Sequence, residues 1–424
     1  MSEVDSRVAA PSHAEGALTL ARRFGGVNAL GLAAHLVAFG GSIVLAHRLD
    51  AATFGLLALA NVIAGYVTLA GRFGTELTLV RELTLAPDPH RQFAILSRLR
   101  GRITLAIGSV VVLVLIALLP GFKTIVIASS IAGAALLVFD PGGLFDLKAR
   151  MSQHAALSLA RQAAFTLSSI AAVLWLSDQT AAVTLTLLRI PIALVFLFWT
   201  FKIIGLTHDE WAAPAPAGAM SALLQRNTQP WLALLAHQIY LNADQLLIAA
   251  MLGEAALAPY AIATALAQIG LISTGALHRV LNPGLVSALG RRDGAHYART
   301  LLATFGVSVV LGLGFWLTAP FVIAWVYPLR LSEAASFVPA FALWILLSGT
   351  GGYAAYALLA GRRDSAYLAA VVCGAVTNLA LNLWAIPRYG ALGAAWTTVV
   401  SQAIASGLSF SFSLALLRTQ SAGR

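Results

Sequence analysis

Residues 103–119 read ITLAIGSVVVLVLIALL, an uncharged run bounded by Arg102 on one side and by Pro120 and Lys123 on the other. As a helix rising about 1.5 Å per residue, it comes close to crossing the roughly 30 Å of hydrocarbon in a bilayer. The rest of the chain is built in the same way. Of its 424 residues 59% are hydrophobic and only 10% charged, where a soluble domain carries about a quarter charged residues. Mean hydropathy is +0.83. These numbers exclude a large soluble domain and leave room for about a dozen crossings of roughly 20 residues each.

Reading apolar runs against turn and charge punctuation places helices at 26–47, 53–71, 103–119, 124–147, 155–176, 180–204, 230–252, 257–282, 300–319, 336–359, 365–386 and 391–416. The expected fold is all-α and integral to the membrane, with about twelve transmembrane helices in two pseudo-symmetric six-helix lobes. The expected organisation is a cytoplasmic tail over 1–20, a first lobe over 21–204 and a cytoplasmic linker over 205–229. A second lobe over 230–417 and a tail over 418–424 complete it. Pro214, Pro216 and Gly218 mark the linker. The first span is too long for a signal-peptide core, so it is expected to stay in the protein.

Orientation follows from the basic residues. With both termini cytoplasmic, 22 of the 27 Lys and Arg fall on the inner side, from Arg22 and Arg23 through the cluster Arg72 to Arg102 and on to Arg362 and Arg363. Arg48, Lys123, Arg330 and Arg388 fall outside, and Arg189 lies within a helix. Such asymmetry selects this topology, and it also explains the net charge of +10 without nucleic acid as a partner. Arg91, Arg98 and Arg102 share one helical face over 91–102, which predicts an interfacial helix on anionic lipid. At an offset of 204 residues, Arg22 answers to Arg226 and Asp50-Ala51-Ala52 to Glu254-Ala255-Ala256, the mark of an internal repeat.

Several chemistries lack their residues. Phe122, Leu147 and Phe201 precede the three lysines, so no phosphate-binding GxxxxGK[ST] loop is present. No HExxH, CxxC pair or GxSxG occurs, and Cys373 is the sole cysteine. The sequence calls for no metal and no cofactor. A membrane glycosyltransferase or polymerase working with scattered loop carboxylates stays open as a reading, although no large outer loop is visible.

Ionisable residues inside the hydrocarbon are costly and by default face a cavity or a partner. Arg189, next to Pro191 near the middle of the sixth span, is read either as an arginine lining a cavity for an anionic, phosphate-bearing head group or as half of a structural ion pair. On the seventh span His237, Tyr240 and Asp244 follow i, i+3, i+7. They line the path, with Asp244 coupling a proton or cation, or they tie helix to helix. Asn28 and His35 on the first span, also i and i+7, make a weaker pair, and for His35 a helix contact fits better. Arg72, Glu76 and Arg81, and His278 with Arg279, crowd the inner ends of spans two and eight, as anchors or as an entrance for a charged head group.

The last two spans carry Asn378-Leu379-Ala380-Leu381-Asn382 and then Ile386-Pro387-Arg388-Tyr389-Gly390-Ala391-Leu392-Gly393-Ala394-Ala395. Together with LDAATFGLL at 49–57, Phe73-Gly74, Val80-Arg81-Glu82 and Tyr240 to Asp244, they make the chain resemble the bacterial polysaccharide flippases. These are the O-antigen and exopolysaccharide repeat-unit translocases of the multidrug/oligosaccharidyl-lipid/polysaccharide exporter superfamily. The resemblance implies two six-helix bundles around a cationic cleft, in the bacterial inner membrane. The cargo it implies is an undecaprenyl-pyrophosphate-linked oligosaccharide, and a polysaccharide polymerase, a chain-length regulator and membrane lipids are the implied partners. Arg81 and Asp244 match family positions. The expected substrate contacts are Arg189, Arg81, Arg72, Arg279, His237 and Tyr240, with Asp244 as the coupling site. A cation-coupled multidrug or toxin extruder of the same superfamily is the alternative, and it would favour buried carboxylates over arginine.

Overall fold

The computed structural model describes residues 15–421 apart from 213 and 292, with side chains from 29 to 416 except 77, 81, 279, 282, 283, 287 and 290. Among the described residues there are helices and turns and no strand. In lipid an unpaired peptide group costs several kcal/mol, so each crossing satisfies its backbone within itself.

The first six crossings are α1 (Glu15–Arg48), α2 (Ala51–Arg72), α4 (Pro89–Leu118), α5 (Gly121–Leu136), α7 (Met151–Trp175) and α8 (Asp178–Ile204). Short helices α3 (Thr75–Leu85), α6 (Gly142–Leu147) and α9 (His208–Ala212) cap their inner ends. The second set is α10 (Ala219–Leu252), α11 (Glu254–Arg291), α12 (Gly294–Val326), α13 (Val338–Ala360) and α14 (Asp364–Ser421). Within α14 the backbone at Gly390 leaves the helical region, at φ 62° and ψ −152°. The chain doubles back there: Thr397 Oγ1 donates to Asn382 Oδ1 at 2.6 Å, and a Cβ on Gly374 would sit 3.0 Å from Ala405. Glycine at Gly390 supplies the positive φ, and small residues let the two arms close.

Among the described residues, ten segments are long and apolar enough to cross a membrane. The segment 364–416 among them is two arms. α10 is left out of the ten; it carries Asn227, His237, Gln238, Asn242, Asp244 and Gln245. With both counted, the fold has about twelve crossings. α10 ends at Leu252, 204 positions after α1 ends at Arg48, so the sequence offset recurs at the ends of these two elements.

Several boundaries differ from expectation. α10 starts at Ala219, so the end of the expected 205–229 linker is helix, and residues 15–20 of the expected tail are helical as part of α1. The stretch 91–102 is not a separate helix. It continues without a break into the span of α4, and Phe93, Leu96 and Leu99 bury themselves in a cluster with Leu83, Phe145 and Ile204. The three basic residues had set the face, but burial of the apolar residues between them decides the packing. The expected helix 124–147 is broken into α5, a 3-10 turn at Leu137–Phe139 and α6, because Pro141 cannot donate its backbone nitrogen.

The two sets of helices meet along α2, which packs on α10 and α11. At the outer end a Cβ on Gly55 would lie 1.7 Å from the carbonyl oxygen of Glu254, so only glycine allows the approach. Arg330 Nη2 donates to the carbonyls of Ala46 and Leu49 at 2.5 and 2.7 Å, capping the end of α1 as a cation suits a helix C-terminus. At the inner end Phe73 stacks on Trp231 with centroids 4.5 Å apart, and Trp231 Nε1 donates to Ala70 O at 3.1 Å. In a Cys373→Ser background, Gly55→Leu should splay the outer end. Labelling of Leu45→Cys by an impermeant maleimide added outside should rise several-fold, while Gly121→Ala, whose Cβ meets open space, leaves it unchanged. Equal labelling in all three proteins would contradict the seam.

Candidate functional site: an arginine pocket beside an amide-lined cavity

A cavity of about 590 Å³ lies between the first set of helices and the α10–α11 pair, within the size range of ligand sites. Its lining is rich in carboxamides, among them Asn61, Gln162, Gln238, Asn242, Gln245 and Gln268. Phe54 and Phe165 add aromatic faces, Arg189 is its one cation, and no carboxylate lines it among the described residues. Gln245 Nε2 donates to Asn242 Oδ1 at 3.1 Å, and Gln162 Nε2 to Thr166 Oγ1 at 3.3 Å. Amides offer both donors and acceptors without charge. Such a wall suits a polyhydroxylated ligand.

Arg189, Gln162 and Phe165 also belong to a smaller pocket of about 210 Å³ that Arg161 completes. Local packing places both arginines. Gly133 of α5 lets α8 approach so closely that a Cβ there would fall 2.5 Å from Arg189 Cβ. The Arg189 guanidinium lies 4.8 Å from the centroid of Phe165, and that of Arg161 lies 5.3 Å from Phe196. Cation–π contacts of this kind contribute about 0.5–2 kcal/mol, which offsets part of the lost hydration. Neither arginine has a carboxylate partner among the described residues, and Arg161 Nε is buried without any hydrogen bond. The ion-pair reading of Arg189 therefore finds no partner here. Arg161, counted with the inner anchors in the sequence, stands inside the span of α7 at the pocket.

The stripe on α10 divides. His237 and Tyr240 line a separate cavity of about 460 Å³ among α10, α11, α13 and α14. Tyr240 donates to Gln402 Oε1, Ser348 donates to the same oxygen at 2.8 Å, and His278 Nε2 lies 2.7 Å from Gly349 O. Asp244 lines neither cavity. Its Oδ2 accepts from Tyr260 and, at 3.2 Å, from Thr398, while Oδ1 accepts from the Gln245 backbone at 2.7 Å. Three neutral donors from α10, α11 and α14 surround a carboxyl that is 1% exposed, an arrangement that ties helices together.

Arg72 pairs with Glu76 and reaches Leu137 O at 3.3 Å, at the inner end of α2 and outside both cavities. The side chains of Arg81, Arg279 and Asn28 lie outside the described residues. His35, expected in a helix contact, is exposed on α1. The amides Gln238 and Gln245, one residue off the stripe read from the sequence, and Asn242, two residues off it, are the part of α10 that faces the central cavity.

A family described as "Polysaccharide biosynthesis protein" matches residues 26–289. The chain belongs to this family. No curated protein sequence matches it. Among solved structures, the lipid II flippase MurJ in an inward closed conformation superposes with a TM-score of 0.70 at 13% identity, over 92% of this chain and 87% of that one. An inward-facing multidrug resistance MATE family transporter of the MOP superfamily gives 0.67 at 15%, over 91% and 94%. A Vibrio cholerae MATE transporter, VcmN, gives 0.59 at 14%, over 96% and 98%. At such identities the likeness is one of fold: this polysaccharide biosynthesis family member is a multi-pass membrane protein with the fold of the MOP-superfamily transporters.

The geometry around Asp244 makes a stability prediction. Asp244→Ala leaves the buried hydroxyls of Tyr260 and Thr398 without that acceptor, at about 1–3 kcal/mol for each one unsatisfied. Its unfolding temperature in detergent should fall clearly below that of Asp244→Asn, which keeps an acceptor oxygen. Equal temperatures for the two variants would contradict the tie.

Proposed function

We propose that this protein is a flippase that carries an oligosaccharide linked to undecaprenyl pyrophosphate from the cytoplasmic to the periplasmic leaflet of the bacterial inner membrane, by alternating access. One observation carries the reading: two arginines with no ion-pair partner among the described residues stand beside a cavity walled by neutral amides. A pyrophosphate is matched by forked guanidinium donors, which bind phosphate oxygens in pairs. The sugar hydroxyls find amide donors and acceptors, and the lipid tail stays in the bilayer while the helix sets rock about the α2 seam.

The rival reading, a cation-coupled drug extruder, needs a carboxylate facing the ligand. None lines the central cavity or the second one among the described residues, and Asp244 is sealed by its own donors. Family membership in polysaccharide biosynthesis supports the glycan cargo, and MurJ, whose fold this chain shares, is a flippase of lipid II. In this account His237 and Tyr240 meet a part of the cargo in the second cavity, and Arg72, Arg81 and Arg279 act at the inner entrance. Asp244 keeps its expected coupling role only if its hydrogen bonds open during the cycle. A polymerase and a chain-length regulator are the partners proposed downstream.

Charge-assisted hydrogen bonds are worth about 1.5–3 kcal/mol, which is roughly tenfold to a hundredfold in binding. Arg189→Ala and Arg161→Ala should each cut surface glycan export by that order and accumulate lipid-linked precursor, at unchanged protein level in the membrane. Normal export in both variants would overturn the assignment.

A further inference from the structure

The break between α5 and α6 has a chemical partner on α7. His154 Nε2 lies 2.8 Å from Asp140 Oδ1, and the same oxygen accepts from the Gly142 backbone at 3.1 Å. Asp140 stands in the gap between the 3-10 turn and α6, where the broken helix frees the chain to turn toward α7. The imidazole is seated against Gly142, where a Cβ would come within 3.1 Å of the ring, and it packs against Phe145 and Phe196. Its other nitrogen, Nδ1, has no partner among the described residues, and the His154 and Asp140 side chains keep 22% and 25% of their surface exposed. When Nε2 donates to the carboxylate, Nδ1 is the open acceptor, so an added proton goes there. Asp140, Asp146 and His154 do not converge as a metal site among the described residues.

Arg161 follows His154 on α7 by seven residues, two turns along the same face and roughly 10 Å by helical rise. The charges facing the imidazole are therefore Asp140 from the break, Asp146 from α6 and Arg161 from α7. Asp140 also acts on Arg161 and on Arg100 of α4, which in turn feels Arg72 of α2 and Glu76 of α3. α8 presents Phe196, and α1, which also packs on α7, has its side chains before residue 29 outside the described residues. We propose that the Asp140–His154 pair is a proton-binding site linked to the Arg161–Arg189 pocket, so that an anionic head group and a proton bind together from the cytoplasmic side. The physical link is Coulombic: Arg161 repels a proton on His154, and an anion against the arginines cancels that repulsion. By reciprocity a proton on His154 then favours the anion. This rests on the anion-pocket reading above and gives that pocket a second ligand.

The test uses the whole protein in lipid nanodiscs, with histidine ring nitrogens labelled and followed by NMR. The probe is inorganic sulfate, a dianion that does not titrate near neutrality. Near pH 7 sulfate should raise the protonated fraction of His154, and Arg161→Gln should raise it without sulfate. Asp140→Asn should lower it. Sulfate should bind several-fold more tightly at pH 6 than at pH 8, and His154→Gln, checked for unchanged helicity and elution, should lose that dependence while still binding sulfate. A His154 signal indifferent to both sulfate and Arg161→Gln overturns the linkage. A signal that answers to Arg161→Gln but not to sulfate overturns the anion pocket, and with it the proposed function.

Discussion

A guanidinium group can be kept inside a membrane protein only where something replaces its lost hydration. In this chain the replacement is partial. Aromatic faces lie under Arg189 and Arg161, the Gln162 carboxamide stands beside them, and among the described residues no carboxylate forms an ion pair with either, Asp140 acting on Arg161 only from a distance. An incompletely compensated pair of charges is costly for a fold with no use for it. It becomes favourable once a dianion enters, because each forked contact is then made in a site of low dielectric.

The remaining architecture holds that pair in place and leaves it reachable. Gly133 brings α8 against α5 at the level of Arg189. α7 carries His154, Arg161, Gln162 and Phe165 from the inner end toward the cavity. α2 forms the seam between helix sets, with contacts at both of its ends: Gly55 against Glu254 outside, and Phe73 against Trp231 inside. Between these ends the seam is apolar and continuous: the main cluster of the second set takes in Ala46 of α1 and packs on Ala51, Phe54 and Ala58 of α2, and a cluster of the first set takes in Leu223 of α10.

Much of this was readable in the sequence because lipid constrains a chain so strongly. The apolar run 103–119 and its counterparts had no other solvent, and arginine placement fixed their alternation. The repeat at an offset of 204 reappears in the ends of α1 and α10, at Arg48 and Leu252. What escaped was whatever depends on three helices at once. Arg161 resembled an anchor because it stands near the start of an apolar run; its depth, opposite Arg189 on the returning helix, was the available signal. Asp244 shares a helical face with His237 in projection, yet Tyr260 and Thr398 from other helices close over it. The break at Asp140–Pro141 was written in the sequence, but its pairing with His154 appears only in three dimensions.

The central claim is that an anionic, lipid-linked glycan is the cargo, and reconstituted vesicles test it most directly. Purified protein in liposomes should move a fluorescent polyprenyl-pyrophosphate disaccharide between leaflets, read as the fraction exposed to a membrane-impermeant quencher, much faster than protein-free liposomes do. A lipophilic cation offered to the same vesicles should show no protein-dependent uptake. Protein-dependent movement of the cation, with the glycan lipid left in its starting leaflet, would contradict the account.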